Sequence, residues 1–384
     1  MKSKVYYWCP FIDKVATVRS VINSSYSLAK YNKFFEPVIL DACGEWNNYK
    51  NEIIQNGVSI ENLTKLNILP PNINKRGFFY SRFLYLLILF KTFLPLFNFI
   101  KKNKNDYIII HLITSLPLFL NWILRKKSKI ILRISGLPKL TYLRKILWML
   151  SIKKMDIVFC PTENTKIYLE NIFPSYKQKF KVLRDPIINV NKIQKLKYEN
   201  SDKIEKEYFV SIGRFTKQKN YIFLLKFLKH YFINKKLNYF FFIIGEGEEE
   251  NNLKEYIKKN KLENFVKLLK YKKNIFPLLK NAKGLISTAL WEDPGFTLIE
   301  SGYLNIPVIS SDCPNGPKEI LEDGDNGYIF KTNDLESFNL TFNQFLNDNL
   351  LEIEKKKKKL KKLTKKFKIF NHYKILQKSL NETK

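Results

Sequence analysis

Short apolar runs recur along the chain, and longer segments with helically spaced apolar residues separate them. Strand-length runs that alternate with helical patterns are typical of βαβ units and of a parallel sheet. The first half of the sequence therefore predicts a doubly wound α/β domain. Its predicted strands are Val5–Trp8, Pro37–Leu40, Tyr107–His111, Lys129–Ile134 and Asp156–Cys160.

The same alternation starts again after a polar stretch that is rich in lysine and asparagine, residues 189–206. A chain of 384 residues is long enough for two separate cores. We therefore expect two Rossmann-like domains with the ligand at the carboxyl ends of their strands, in the cleft between them. The second set of predicted strands is Tyr208–Ile212, Tyr239–Gly245, Val266–Leu269, Gly284–Ser287 and Pro307–Ser310.

These patterns divide the chain into four segments. The first domain covers residues 1–188, the linker 189–206 and the second domain 207–365, while the last segment, 366–384, contains a helix predicted from about His372 to Leu380. A lysine-dominated helix over 354–368 is most simply a solvated element.

Two carboxylates flank a predicted helix start in the second domain. Pro294 and Gly295 break the chain before a helix from Phe296 to about Leu304, so the first-turn N–H groups lack internal partners. They can donate to hydroxyls or phosphate oxygens. Glu300, one turn further, can accept hydrogen bonds from a ribose diol, while Glu292 precedes the helix. The alternative interpretation is that both glutamates are ordinary surface acids.

A second motif opens the helix after the strand Tyr208–Ile212. It reads Gly-Arg-Phe-Thr-Lys-Gln-Lys-Asn over residues 213–220 and includes Arg214 and Lys219. Two cations beside free N–H groups are suited to a diphosphate.

Together these motifs resemble glycosyltransferase family 4, whose members have the GT-B fold and are retaining enzymes that use nucleotide sugars. The resemblance is strong from about Tyr208 to Phe330 and weaker, though continuous, before it. It implies that the first domain binds the acceptor and the second the nucleotide sugar, and that the C-terminal helix crosses back onto the first domain. It implies that Arg214, Lys219 and Glu292 are catalytic. It also implies that the donor is bound by Gly213, Gly245, Gly247, Gly295, Phe296, Thr297 and Glu300.

Two other motifs are discounted. The Gly-x-Gly at Gly245 and Gly247 lacks the third glycine of a dinucleotide fingerprint, and the acids after it would repel a pyrophosphate. The Asp-Gly-Asp of residues 323–325 has a turn composition and does not indicate a metal site. Because Arg214 and Lys219 can neutralise a leaving diphosphate, we expect neither a metal nor another cofactor.

In the first domain the resemblance selects His111 as a catalytic or donor-contacting residue. Of the other histidines, His230 and His372 lie on predicted helices whose neighbours suggest the surface. Two positions depart from the family. Residues 9–14 replace a glycine-rich loop, and Arg133 stands where a His-Gly pair is common, which makes Arg133 a possible contact for acceptor or phosphate.

The net charge of +32 has three interpretations: the amino-acid usage of an AT-rich genome, nucleic acid, or an anionic membrane. Two basic, aromatic stretches, Phe78–Ile100 and Leu137–Met155, favour a membrane surface over nucleic acid. Arg82, Lys91 and Pro95 interrupt the first, so we expect helices that lie in the interface and do not span it. Packing of these faces on the sheet is the alternative.

Four scattered cysteines and the absence of a recognisable signal peptide favour a reducing, cytoplasmic location. We therefore expect a retaining, metal-independent enzyme, peripheral on the inner face of the cytoplasmic membrane. It would move a hexose or N-acetylhexosamine from a UDP-sugar to a glycan acceptor, such as a lipid-linked one. The alternative from another class is a non-catalytic subunit that keeps the fold and binds a membrane or polyanion.

Overall fold

The computed structural model describes residues 2–12, 16–65, 78–103, 106–112, 114–125, 128–138, 140–199, 204, 206–234 and 239–383. The chain divides into two compact units. Unit 1 contains Met1–Ile187 together with Ile369–Lys384, and unit 2 contains Ile188–Lys368. Among the residues singled out from the sequence, Asp13, Lys14, Lys139 and positions 200–203 and 205 of the expected linker lie outside the described ranges.

Unit 1 is built on a seven-stranded parallel sheet with the strand order β3-β2-β1-β4-β5-β6-β7. The central strands are continuous apolar runs because helices cover both faces of the sheet. One core lies on each face, around Trp8, Ile110 and Leu132 on one side and Tyr7, Ile109 and Phe159 on the other. The strands are β1 Ser3–Trp8, β2 Phe35–Asp41, β3 Ser59–Asn62, β4 Tyr107–Ile110, β5 Lys129–Arg133, β6 Ile157–Cys160 and β7 Phe180–Val182.

The helices of unit 1 follow the strands in alternation. The six that precede β7 are α1 Ala16–Tyr31, α2 Lys50–Gln55, α3 Phe78–Lys102, α4 Ser115–Ile123, α5 Tyr142–Lys154 and α6 Glu163–Ile172.

Unit 2 contains a six-stranded parallel sheet with the order β10-β9-β8-β11-β12-β13, and an aromatic core that includes Phe209, Phe227 and Phe338. Its strands are β8 Tyr208–Ile212, β9 Phe240–Ile244, β10 Val266–Leu269, β11 Gly284–Ser287, β12 Val308–Ser311 and β13 Tyr328–Phe330. Its helices are α7 Val190–Leu196, α8 Tyr221–Asn234, α9 Glu250–Lys259, α10 Phe276–Lys280, α11 Phe296–Tyr303, α12 Gly316–Leu321, α13 Leu335–Asn347 and α14 Leu350–Thr364.

All ten strands expected from the sequence are present. The three that the sequence did not predict, β3, β7 and β13, are each at the edge of a sheet. Polar or charged residues interrupt β3 and β7, and β13 is apolar but only three residues long, so none of the three shows an apolar run of strand length. The expected helix at residue 296 is also present as α11, whose last residue is Tyr303.

Helix α3 corrects one expectation. Its segment Arg82–Lys102 is long and apolar enough to cross a membrane, although Lys91 and Pro95 lie within it. The expectation that these interruptions exclude such a length was wrong, because a helix continues through both positions. A core helix of a soluble protein meets the same test, and α3 contributes Leu84, Ile88 and Leu96 to the core of unit 1.

The C-terminal helix, α15 Ile369–Glu382, packs against α1 in unit 1. Its His372 is buried, so the expectation that this histidine is at the surface was wrong. One ring nitrogen, Nδ1, donates to the Arg184 carbonyl at 2.7 Å, which leaves Nε2 to accept from the Ser24 hydroxyl at 2.8 Å. The second histidine expected at the surface, His230, is exposed.

Burial lowers the pKa of His372 to about 3, and the nearby Arg133 cation adds to the shift. Burial also lowers the pKa of His111. The folded state therefore binds fewer protons than the unfolded chain, in which a histidine titrates near pH 6.5. Stability is fully present above that pH and is lost as the pH falls below it.

We expect the free energy of unfolding to fall by about 1.4 kcal/mol for each of these histidines between pH 7.5 and 5.5. Replacement His372→Gln should remove one of the two contributions. Guanidinium unfolding followed by tryptophan fluorescence at both pH values measures this. The matched control is His230→Gln, and an unchanged pH dependence in His372→Gln would contradict the assignment.

Candidate functional site

The candidate site of unit 2 lies where the strand order of its sheet reverses. Strand β8 is flanked by β9 on one side and by β11 on the other. The chain therefore leaves the carboxyl ends of β8 and β11 in opposite directions, and a crevice opens there in sheets of this type. The loops that follow β8, β9 and β11 carry most of the residues predicted from the sequence.

The loops after β8 and β9 interlock through glycine. Gly213 N donates to Ile244 O at 3.0 Å, and Phe215 N donates to Glu246 O at 2.8 Å. A Cβ on Gly245 would lie 1.9 Å from Gly213 O, and one on Gly247 would lie 2.3 Å from Phe215 O. Only glycine allows the two backbones to approach this closely.

The loop after β8 is also fastened to the loop after β11. The Thr288 hydroxyl, which follows β11, hydrogen-bonds to the carbonyls of Lys219 at 3.0 Å and Asn220 at 3.2 Å. Gln218 O accepts from Leu290 N at 2.8 Å. Asn220 has φ 56°, a left-handed conformation that asparagine tolerates well, and it joins the loop to α8. These contacts fix the backbone on both sides of Lys219.

Lys219 and Glu292 form an ion pair between their Nζ and Oε1 atoms. The Glu292 side chain is buried, and that of Lys219 is 20% exposed. Burial, and secondarily the Glu292 charge, raise the pKa of the neighbouring Tyr221 hydroxyl, so this tyrosine stays neutral. The structure thus brings together two residues that the sequence placed 73 positions apart.

Gly295 begins α11 with φ 95°, a conformation that favours glycine. The first-turn N–H groups of α11, including those of Phe296 and Thr297, are available because no helical carbonyl precedes them. Glu300 lies one turn further along and is partly buried. The first residue of α12 also constrains the backbone that leads into α11. Gly316 lies so close to Pro294 that a Cβ on it would be 1.8 Å from Pro294 O.

Arg214 is exposed at the tip of the loop after β8. Three residues that the sequence reasoning did not assign to the site join it. The buried Thr216 hydroxyl has no hydrogen-bond partner in the described part of the chain, and Thr288 and Gly316 hold the loops. Thr216 lies inside the motif already recognised, so position alone could have suggested it. The roles of Thr288 and Gly316 depend on tertiary contacts that have no local signal.

The two candidates in unit 1 are both buried. His111 follows β4, its N–H donates to Trp8 O at 2.9 Å, and its ring stacks on Tyr7 with 6.1 Å between centroids. Its Nε2 has no partner among the described residues. Arg133 is 3% exposed and forms an ion pair with Asp185 at 2.8 Å, while it also donates to the Ile134 carbonyl. Arg133 is thus engaged in a structural pair within unit 1.

These features define two Rossmann-like α/β units, the second with a strand-end site of cations, glycines and a helix N-terminus. The fold is GT-B. Anabaena HepE, solved in complex with UDP and glucose, superposes with a TM-score of 0.73 at 14% identity, over 99% of this chain and all of that one. This likeness concerns the fold alone.

Residues 193–371 match the family model described as Glycosyl transferases group 1. The match covers a little under half of the chain, and it confirms the resemblance to glycosyltransferase family 4.

Two curated relatives illustrate the range of the family. One is an uncharacterized glycosyltransferase of Methanocaldococcus jannaschii, 39% identical over 44% of this chain, which spans 43% of that relative's length. A Campylobacter jejuni relative is 28% identical over 67% of this chain and 70% of its own length. That protein is named an α-1,4-N-acetyl-D-galactosaminyltransferase for an undecaprenol-diphosphate-linked glycan.

The interlocking of the two loops predicts a steric effect. Replacement Gly245→Ala should destabilise the protein by about 1–3 kcal/mol, because the new methyl group overlaps Gly213 O and the loops must separate. The same change should weaken binding of UDP, the donor nucleotide that is proposed below. The control Gly136→Ala introduces a methyl group with nothing within 4 Å and should change neither quantity. Denaturant unfolding and UDP titration would show whether the close contact matters.

Proposed function

We propose that this protein is a retaining, metal-independent glycosyltransferase that moves a hexose or N-acetylhexosamine from a UDP-sugar to a glycan acceptor, specifically a lipid-linked one. The process would be the assembly of a surface polysaccharide, a lipopolysaccharide or a glycoprotein glycan. The observation that carries the proposal is the Lys219–Glu292 pair beside the glycine-lined loops and the start of α11. The printed names of the relatives, including UDP in HepE and an undecaprenol-linked acceptor in Campylobacter, support the substrate classes.

Each residue has a role in this proposal. Arg214 and Lys219 neutralise the diphosphate as it leaves, and Glu300 accepts hydrogen bonds from the ribose. Glu292 orients both Lys219 and the sugar, and the N–H groups of Phe296 and Thr297 bind phosphate or hydroxyl oxygens. The glycines at 213, 245, 247 and 295 allow the donor to approach the backbone. His111 contacts the sugar from unit 1, while Arg133 acts indirectly by holding its part of that unit.

The transfer breaks the bond between the anomeric carbon and the UDP oxygen and forms a bond to the acceptor oxygen. In a retaining reaction without a protein nucleophile, the acceptor attacks from the face that the UDP leaves. The acceptor proton then passes to the departing phosphate oxygen. The protein supplies charge stabilisation and orientation, which are usually the largest contributions to such a step.

Metal independence is part of the proposal because Lys219 and Arg214 provide the positive charge that a divalent cation supplies elsewhere. Turnover should therefore persist in excess EDTA. Loss of turnover that manganese or magnesium restores would contradict this.

We further propose that the protein acts in the cytoplasm as a peripheral protein of the inner face of the cytoplasmic membrane. The basic, aromatic stretches 78–100 and 137–155 of unit 1 support this location. A lipid-linked acceptor is presented at such a surface.

The diphosphate assignment predicts the effect of removing each cation. Replacement Arg214→Ala or Lys219→Ala should lower turnover at least about a hundredfold, since a charge-assisted contact to a leaving group is worth several kcal/mol. The matched control is Lys217→Ala, an exposed lysine of the same loop, which should stay near the unaltered rate. Measurement of UDP release with acceptor present tests this. No UDP release by the unaltered protein with any donor would instead favour a non-catalytic subunit.

Replacement of the two glutamates should have different effects on UDP binding. Replacement Glu300→Gln should weaken UDP binding several-fold, because the ribose loses a charged acceptor. Replacement Glu292→Gln should spare UDP binding and lower transfer, because Lys219 keeps its charge while the sugar loses its carboxylate. Calorimetric titration of UDP into both variants distinguishes them, and equal losses in the two would mean that the roles are wrong.

A further inference from the structure

Three neighbouring helices of unit 1 carry many exposed apolar side chains, and we call their outer side the α3–α5 surface. Helix α4 contacts both α3 and α5, and all three contribute to the same core on one face of the sheet. More than half of the exposed large hydrophobic side chains among the described residues lie on these helices. They are Phe83, Leu86, Phe90, Phe93, Leu94, Phe119, Trp122, Ile123, Tyr142, Leu143, Ile146, Leu147, Met149 and Leu150.

Helix α3 carries two apolar stripes. Leu84, Ile88 and Leu96 recur at helical spacing and are buried against the sheet. On the opposite side, Phe90 is 80% exposed and Leu94 is 65% exposed. A helix on the surface of a globular protein normally places polar residues on that outer side. The outer stripe of α3 therefore requires an apolar environment outside the unit.

Helices α4 and α5 extend this pattern. On α4, Phe119 and Trp122 stack with 6.4 Å between ring centroids and both are about half exposed or more. On α5, Ile152 is the one residue that is fully buried, whereas Tyr142 and Leu143 are 80% and 72% exposed. An apolar area of this extent is larger than the isolated hydrophobic residues of an ordinary surface.

The segment of the chain that contains this surface is strongly basic, although one of its cations, Arg133, is buried in the pair with Asp185. From residue 78 to residue 155 the sequence contains fifteen lysines and arginines and a single acid, Asp106. The other 34 acids of the chain lie elsewhere. Asp106 accepts a hydrogen bond from the Lys4 backbone N–H, so its charge is already engaged. Cations near an apolar surface without acids are complementary to anionic lipid head groups.

We propose that the α3–α5 surface docks on an anionic lipid bilayer, with its aromatic and aliphatic side chains in the interface and its cations at the head groups. This rests on the proposed peripheral location and deepens it, since it assigns the contact to three helices and adds α4, which the sequence stretches did not include. The buried stripe of α3 is part of the core, so the helix lies along the interface and does not cross the bilayer. Trp122, with a polar ring edge on an apolar body, is suited to that depth.

Vesicle co-sedimentation of the full chain tests the proposal. The protein should bind vesicles of phosphatidylcholine with phosphatidylglycerol and bind pure phosphatidylcholine at least about tenfold more weakly. The double replacements Phe90→Gln with Leu94→Gln, and Leu143→Gln with Leu147→Gln, should each reduce binding at least about tenfold. The matched control is Leu350→Gln with Leu351→Gln, two exposed leucines of unit 2 that should leave binding unchanged.

Two further measurements test the lysines of α5 and the tryptophan of α4 separately. Replacement Lys145→Gln with Lys153→Gln should weaken binding several-fold, whereas Lys361→Gln with Lys362→Gln on α14 should not. The emission of Trp122 is obtained by subtracting the spectrum of Trp122→Phe from that of the unaltered protein. This emission should shift to the blue when vesicles are added, and brominated lipid should quench it. A Trp122 signal that does not respond, or equal losses in the α14 control, would overturn the assignment to this surface.

Two further results would also overturn it. Self-association that the α3 and α5 replacements abolish, without vesicle binding, would mean that a second copy covers the surface. Release from membranes by detergent alone would mean that the chain is inserted. UDP titration of the same variants separates this inference from the proposed function, because donor binding in unit 2 should be retained. If UDP does not bind the unaltered protein, the proposed function fails while the lipid result stands.

Discussion

The ion pair of Lys219 and Glu292 is the interaction on which the candidate site of unit 2 depends. The Glu292 carboxylate is buried and its charge would be costly alone, whereas Lys219 keeps partial contact with water, so removal of the lysine leaves a buried, uncompensated charge. Lys219 follows β8 and Glu292 follows β11, so their attraction also joins the two loops at the reversal of strand order. The hydroxyl of Thr288 and the glycine contacts complete that connection.

This arrangement also makes the site responsive to its ligand. In the proposed function, a diphosphate beside Lys219 shares this cation with Glu292, and the N–H donors of α11 lower the cost of sharing it. Glu292 then has a carboxylate oxygen available for a sugar hydroxyl. One buried pair therefore connects the positions where phosphate and sugar would bind. A surface pair would not, because water would satisfy both partners.

Much of the fold could be predicted from the sequence because helices cover both faces of the two parallel sheets. Strands such as β4 and β9 are then continuous apolar runs, which are visible without a structure. Polar residues interrupt that signal in β3 and β7, and β13, although apolar, is only three residues long. His372 was misjudged for a related reason, since the burial of α15 results from packing on α1, which no local pattern records. Helix α3 is longer than expected because Lys91 and Pro95, which were expected to interrupt the apolar run, lie within a continuous helix long enough to cross a membrane.

In the candidate site, local motifs pointed to Arg214, Lys219, Glu292 and Glu300, because each belongs to a strand-to-helix transition with recognisable breakers, and the roles of these residues stay predictions. The roles of Thr288 and Gly316 could not be predicted, since they act through contacts with distant segments. The sequence also gave no indication that Arg133 is engaged by Asp185. The expected cleft between the domains, and the part His111 takes in it, stay predictions.

The path of the chain has a consequence for biosynthesis. Unit 1 is assembled from two separate parts of the chain, Met1–Ile187 and Ile369–Lys384, and α15 supplies Leu376 and Leu380 to its core. The chain passes between the units twice, near residue 188 and near residue 368. These two segments lie side by side, because Ile188 N donates to Phe367 O at 3.0 Å. A ribosome therefore releases all of unit 2 before it releases the helix that completes unit 1. The domain that is begun first is therefore completed only after unit 2 has been synthesised. Until then Ser24 lacks its histidine partner, and the part of the core that α15 covers is exposed to water.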